Sequence, residues 1–319
     1  MMSRKRTIGI IGLGPVGTIL AAHLANGGMD MVVEDIAEGV LANIEKDGLR
    51  VSGIRELSIK VGKTARSMAE LAEFEPDMVF VATKACFLKP VLNELKPVYE
   101  TGMKVVSFQN GLDNEQMIAK SLGVDASYRV VVNYAGNLET PGHARMNWFQ
   151  PPNYVGAFKD GRYTTDETTR DIAEVLTTCG LKTEGASDIK KHVWMKSILN
   201  TALCSVCALT RQTMKRAMDF GSSRDLAVKV LEEGLKVAER DGYDFGEDAI
   251  EQFIEYLEKG GMHKPSMLVD VENGRKTEVD FLSGAIVGYG EKYGVETPVN
   301  MALTSLLKAL ENRYLREKS

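Results

Sequence analysis

Three glycines in fixed spacing constrain this chain more than anything else in it. Thr7-Ile8-Gly9-Ile10-Ile11 is a short, β-branched apolar run that leads straight into Gly12-Leu13-Gly14-Pro15-Val16-Gly17, a G-x-G-x-x-G pattern. Thr18 to Leu24 then reads as an Ala/Leu-rich helix. Strand, tight turn and helix start, in that order, are what a dinucleotide-binding βα unit requires. Gly12 permits the turn, and Gly14 removes a side chain where backbone must approach a pyrophosphate. Gly17 lets helix and strand lie close. Leu13, Pro15 and Val16 complete a cradle in which free N–H groups at the helix N-terminus face the anion. The alternative is a glycine-rich turn of an α/β protein that binds nothing.

The second apolar run, Met31-Val32-Val33, ends in Glu34-Asp35-Ile36, with no basic residue until Lys46. An acid at that place accepts hydrogen bonds from the adenosine ribose, whereas a 2′-phosphate calls for Arg and is repelled by a carboxylate. Spacing from Gly17 selects Asp35 as the ribose contact and favours NAD(H), with NADP(H) as the alternative cofactor. The bland reading is that both acids cap the next helix.

Up to about residue 186, apolar runs alternate with helical patterns, the signature of a parallel sheet with crossover helices. Strands are expected at Ile8–Ile11, Met31–Val33, Met78–Ala82, Lys104–Phe108, Tyr128–Asn133, Tyr154–Ala157 and Lys182–Glu184, with Ile54–Val61 as an antiparallel insertion. Near Asp188 the texture changes. Long helical segments follow, among them Ile189–Met218, Ser223–Asp241, Val279–Tyr293 and Val299–Arg316. The expected fold is α/β: a Rossmann-type, doubly wound parallel sheet over 1–187 and an all-helical domain over 188–319.

A chain of 319 residues, 44% hydrophobic and 26% charged, buries a full core, and a net charge of −5 recommends no nucleic-acid partner. Four scattered cysteines make no disulfide framework; Cys204-Ser-Val-Cys207 reads as buried helix-face thiols rather than half a zinc site. The histidines His23, His143, His192 and His263 form no cluster, so no metal site is expected. By sequence no window is expected to reach the roughly 18–20 apolar residues of a membrane helix, and no signal peptide is expected ahead of the first strand. The expectation is a cytoplasmic enzyme without membrane partner; the long C-terminal helices allow a homodimer.

Chemistry-bearing residues sit at strand ends and on helix faces. Lys84 follows Val81-Ala82-Thr83, and Asn110 lies in Gln109-Asn110-Gly111. Lys84 suits a cofactor phosphate or the reacting end of the cofactor, and Asn110 a ribose or substrate. The bland alternatives are a solvated loop Lys and a turn-forming Asn. Lys196 and Asn200 share a helix face that continues through Cys204. On so apolar a helix, a Lys and an Asn are expensive unless they line a cavity. An ammonium with lowered pKa can hydrogen-bond a ketone and protonate the alkoxide left by hydride delivery; a surface Lys is the alternative. Glu278 opens a further apolar helix, where it either caps the helix or binds a substrate hydroxyl and steadies Lys196.

Taken together, Gly12–Gly17, Lys84, Gln109-Asn110-Gly111, Trp194-Met195-Lys196…Asn200, Pro265-Ser266-Met267…Asp270, Thr277-Glu278-Val279-Asp280…Gly284 and Thr297-Pro298-Val299-Asn300 resemble the ketopantoate reductase family, in order and over nearly the whole length. The resemblance implies hydride transfer from NAD(P)H to a branched 2-oxo acid, giving the (R)-2-hydroxy acid, within pantothenate biosynthesis. It implies Lys196 as general acid and Glu278 as second catalytic residue. Asn110, Asn200 and Ser266 would bind substrate, and Lys84 with Asn110 would lie near the cofactor. Two positions depart from the family pattern. Cys204 stands at a substrate-facing place where a second Asn is usual, and Glu34-Asp35-Ile36 replaces an Arg for the 2′-phosphate. An NAD-dependent D-2-hydroxy acid dehydrogenase similar to D-mandelate dehydrogenase is the alternative within the family. A non-catalytic dinucleotide sensor and an opine-type dehydrogenase are the alternatives outside it.

Overall fold

The computed structural model describes residues 6–159 and 162–317. Its strands are β1 (Thr7–Ile11), β2 (Asp30–Glu34), β3 (Leu49–Gly53), β4 (Leu57–Ile59), β5 (Thr64–Ala65), β6 (Met78–Val81), β7 (Lys104–Ser107), β8 (Ser127–Val131), β9 (Tyr134–Thr140), β10 (His143–Phe149), β11 (Asn153–Lys159), β12 (Arg162–Thr164) and β13 (Thr183–Gly185). Helices α1 (Pro15–Asn26), α2 (Glu38–Asp47), α3 (Met68–Glu73), α4 (Leu88–Leu95), α5 (Asn114–Leu122) and α6 (Glu167–Thr178) alternate with them. Then come only helices: α7 (Ile189–Thr210), α8 (Met214–Asp219), α9 (Gly221–Arg240), α10 (Ala249–Glu258), α11 (Ser266–Glu272), α12 (Ser283–Tyr293) and α13 (Pro298–Arg316).

By its internal packing the chain divides into two units. One comprises the residues up to Gln109 with Asp113–Lys190, the other Asn110–Leu112 with Lys191 onward. Asn110–Leu112, inside the span expected for the first domain, thus groups with the helical unit.

In the first unit β1, β2, β5, β6, β7 and β8 pair in parallel, in the order β8-β7-β6-β1-β2-β5, and antiparallel β11 and β12 extend the β8 edge. Alternate residues serve opposite faces. Ile8, Ile10, Val33, Phe80 and Val106 pack in one core, and Ile11, Val32, Val79, Val81 and Val105 in another. Burial on both faces is why these strands read as continuous apolar runs.

Three expectations need correction. The insertion expected at Ile54–Val61 is antiparallel, β3 with β4, but it starts at Leu49, and both strands join β10 and β9 in a separate four-stranded sheet with β10 parallel to β3. The missed β9–β10 hairpin turns at Pro141-Gly142, where Gly142 has φ +81°. The segment Ile189–Met218 is two helices. Arg211 turns left-handed (φ 56°) and the Gln212 N–H bonds back to the Cys207 carbonyl at 3.2 Å, a Schellman-type stop that ends α7. Likewise Val279–Tyr293 breaks at Leu282 (φ −110°, ψ −99°), leaving a 3₁₀ turn at Val279–Phe281 ahead of α12.

The hydropathy reading needs a fourth. Helix α7, with a mean hydropathy of 1.3 over its most apolar stretch, is long and apolar enough to cross a membrane, yet 72% of that stretch is buried inside the protein. It is a core helix, with Val193, Trp194, Ile198, Ala202, Leu203 and Val206 all enclosed.

Candidate functional site

At the end of β1 the three glycines do three different things. Gly12 has φ +89°, and a Cβ there would sit 2.6 Å from the Thr83 methyl. At Gly17 a Cβ would fall 1.9 Å from the Gly12 carbonyl oxygen, so only glycine lets α1 come this close. Gly14 is the reverse: a Cβ would meet nothing within 4 Å. Open space over Gly14, at the N-terminus of a 12-residue helix that no side chain caps, fits a pyrophosphate. The turn itself is held firmly. The Gly12 N–H donates to the Glu34 carbonyl (2.9 Å), the Thr18 hydroxyl to the Leu13 carbonyl (2.9 Å) and the Tyr134 hydroxyl to the Val16 carbonyl (2.9 Å).

Asp35 is tied into the same turn. One carboxylate oxygen accepts the Leu13 N–H (2.8 Å) and the other the Ala37 N–H at the start of α2 (2.9 Å). The α2 N-cap is Ala37 and no side chain caps it, so Asp35 does not cap the helix; it closes an Asx-type turn ahead of α2 and fixes the glycine turn. Glu34 caps nothing. It is 2% exposed, its Oε1 has no hydrogen-bond partner, and burial, helped by the nearby Asp35 and Glu94 carboxylates, pushes its carboxyl up to about 7.

Beside this turn runs the loop after β6. Half-buried Lys84 precedes a 3₁₀ turn, and its carbonyl accepts from the Gln109 side chain (3.2 Å), which also donates to the Thr83 hydroxyl (3.1 Å). Gly12, Gly14, Gly17, Asp35 and Lys84 thus gather at the C-terminal ends of β1, β2 and β6. Asn110 groups with the second unit. With Gly111 (φ +96°, its Cβ position 2.8 Å from Phe281) and Leu112, whose N–H donates to the Phe281 carbonyl (3.2 Å), it docks on the turn after Glu278.

The second unit gathers a charged group around one thiol. Half-buried Lys196 faces inward from α7, and burial lowers its ammonium to about 8, partly offset by Cys204 two turns on. Cys204 is itself buried among Ala208, Met267, Val271, Val279, Leu282 and Leu307. Its thiol is pushed far up, by burial first, and it feels the Lys196 cation and the Glu278 and Asp270 carboxylates. Half-buried Asn200 lies between Lys196 and Cys204 on α7. Glu278 and Asp270 are 8% and 4% exposed. Glu278 does not cap through its side chain; its carbonyl accepts the Phe281 (3.0 Å) and Leu282 (3.1 Å) N–H groups. Ser266 opens α11 and is exposed. Among the described residues no group of His, Cys, Asp or Glu side chains is arranged to hold a metal ion.

Sequence reasoning passed over His263, Tyr134 and Glu311. The His263 imidazole is held below its usual range by burial and by the Lys196 cation. No spacing rule points to it, because it reaches Lys196 from a loop nearly seventy residues along the chain.

Residues 8–160 match the ketopantoate reductase PanE/ApbA family and residues 188–311 match that family's C-terminal domain. The chain belongs to this family. It is 32% identical over 309 residues to the 2-dehydropantoate 2-reductase of Archaeoglobus fulgidus, covering 97% of this chain and 99% of that one. Identity to the 2-dehydropantoate 2-reductase of Pyrococcus abyssi is 30%, covering 95% and 97%. The structure of 2-dehydropantoate 2-reductase from Geobacter metallireducens GS-15 superposes with a TM-score of 0.87 at 24% identity, covering 95% of this chain and 99% of that one. A ternary structure of D-mandelate dehydrogenase with NADH and anilino(oxo)acetate does so with a TM-score of 0.83 at 23% identity, covering 97% and 99%. At those identities the two structures establish the shared fold, the Rossmann-type sheet with a helical C-terminal part.

Proposed function

We propose that this member of the ketopantoate reductase family is a 2-dehydropantoate 2-reductase that uses NADH. The observation that carries the reading is Lys196: an ammonium lowered to about 8 inside an apolar helical core, with the Glu278 carboxylate converging on the same thiol. A cation kept where burial penalises it needs a task, and donating a proton near neutral pH is the one its pKa suits.

When bound, the nicotinamide cofactor would supply the hydride. Gly12, Leu13, Gly14, Pro15, Val16 and Gly17 would hold its pyrophosphate, Asp35 the adenosine ribose, and Lys84 a phosphate or the reacting end. Lys196 donates a hydrogen bond from Nζ to the substrate carbonyl oxygen and gives that oxygen its proton. Glu278 accepts a hydrogen bond from the substrate hydroxyl and steadies Nζ. Asn110, Asn200 and Ser266 orient the carboxylate and the branch, and the Cys204 thiol, neutral across the working range, offers an apolar wall. Asp35 supports NADH over NADPH through its charge, although both of its oxygens already accept backbone N–H groups. Each oxygen retains a second lone pair for a ribose hydroxyl.

One observation favours a second reading. Cys204 stands in an apolar cluster where an amide is usual, which suits a 2-oxo acid with an apolar or aromatic branch. A spectrophotometric panel of ketopantoate, 2-oxoisovalerate and benzoylformate with NADH and NADPH decides between them. Ketopantoate with NADH is expected to give the highest kcat/KM; benzoylformate in first place would establish the second reading, and no oxidation of either cofactor would end both. In Asp35→Ala the NADH:NADPH ratio of kcat/KM should fall at least tenfold, a bidentate charge-assisted contact being worth that much; an unchanged ratio would reduce Asp35 to its structural bonds.

A further inference from the structure

Glu278 is carried on an irregular stretch between α11 and α12, and a side chain that must place a carboxylate within hydrogen-bond reach needs a rigid base. That base is built by α13. The Glu311 carboxylate accepts two hydrogen bonds through one oxygen, from the Thr277 N–H (2.7 Å) and the Thr277 hydroxyl (2.6 Å). The same hydroxyl oxygen accepts the Val279 N–H at 3.4 Å, so the residues on both sides of Glu278 are tied through Thr277. One turn along α13, the Tyr314 hydroxyl donates to the Arg275 carbonyl (2.8 Å), and the Arg275 guanidinium lies 3.3 Å from buried Asp270. Beyond Glu278, the Phe281 carbonyl receives the Leu112 N–H, two residues from Asn110. Thr277 is 3% exposed, so little water competes for these bonds.

We propose that Glu311 is a positioning residue for the reductase reaction: its carboxylate clamps Thr277 and thereby sets Glu278 and, through Phe281, the Asn110 segment. The inference rests on the catalytic reading of Glu278 given above. A carboxylate, rather than any acceptor, belongs here because two short donors converge on one oxygen, and an ionised acceptor makes the stronger bonds. Thr277 matters for the same reason, since Oγ1 is at once donor to Glu311 and acceptor from Val279.

The test is a set of full-length variants assayed with the preferred 2-oxo acid and NADH, with amide hydrogen exchange read over residues 275–282. Glu311→Ala should lower kcat at least tenfold, the loss expected when two charge-assisted bonds go. NADH affinity should stay within twofold, and exchange over 277–282 should speed up. Thr277→Val should behave alike, and Thr277→Ser, which keeps Oγ1, should recover most of the rate. Wild-type kcat in Glu311→Ala, an equal loss of NADH affinity, or failure of Thr277→Ser to recover beyond Thr277→Val overturns the proposal while leaving the function intact. A wild-type chain inactive on every 2-oxo acid instead removes the function and the proposal together.

Discussion

The glycine turn and the Lys196 cluster are built from opposite materials. The turn is backbone: three glycines within six residues, fixed by main-chain carbonyls and by one carboxylate that accepts two N–H groups. The cluster is side chain, drawn from α7, from α11 and from the stretch that carries Glu278, around a thiol on an otherwise apolar face. In the first, a change of one methyl matters through shape. In the second, what matters is charge held against burial, and each region predicts a different kind of failure.

The largest effect is expected at Lys196. Lys196→Ala should lower kcat a hundredfold or more, the range typical of a lost acid–base group, while NADH binding measured by fluorescence quenching stays near wild type. The ammonium titrates at about 8, so reduction should decline as pH rises through that value. Oxidation of the 2-hydroxy acid, which needs the neutral amine, should rise over the same interval. Reduction indifferent to pH between 6.5 and 9.5 would sever the cluster from the chemistry.

The two regions also differ in how far the chain betrayed them. The glycine turn is local, so its spacing alone marks strand, turn and helix, and Gly12 and Gly17 meet the close contacts that spacing foretells. Lys196 stood out because an ammonium on an apolar helix is costly, but its partners were not legible. Glu278 took its role from family resemblance, and His263, Asp270 and Glu311 approach from segments whose mutual placement no periodicity encodes. The same holds for β9 and β10. Their Pro141-Gly142 turn is a readable hairpin signal, yet parallel pairing with β3, some ninety residues earlier, is a non-local fact. The sequence offers Asp35 as a ribose contact or a helix cap, and the Leu13 N–H it binds becomes visible only once the turn is folded.

A smaller effect separates shape from binding inside the glycine turn. Gly17→Ala drives a methyl into the Gly12 carbonyl and should destabilise the first unit by roughly 1–3 kcal/mol, as overpacking does. Gly14→Ala meets no atom, so it should leave the urea midpoint nearly unchanged and raise the NADH dissociation constant about tenfold by filling the pyrophosphate's space. Equal loss of stability in both variants would erase the distinction between the two glycines.

The finest test sets Glu34 against Lys196, two groups that burial shifts in opposite directions. The Glu34 carboxyl rises from 4.5 to about 7 in the folded chain. Between those values the native state holds a proton that the unfolded state has released, so stability must fall as pH rises through the interval, and the deficit is complete above 7. For the Lys196 ammonium, lowered from 10.5 to about 8, the penalty instead applies below 8 and fades as pH climbs to 10.5. Glu34→Gln keeps the shape and discards the charge. It should therefore be more stable than wild type by on the order of 2 kcal/mol at pH 8, shrinking below about 1 kcal/mol at pH 5, in urea titrations at the two values. A gain that is the same at both pH values would mean that the carboxyl is not held neutral by its surroundings. The expected outcome would make the end of β2 a place where the fold tolerates an uncompensated acid beside Asp35, as α7 tolerates an ammonium.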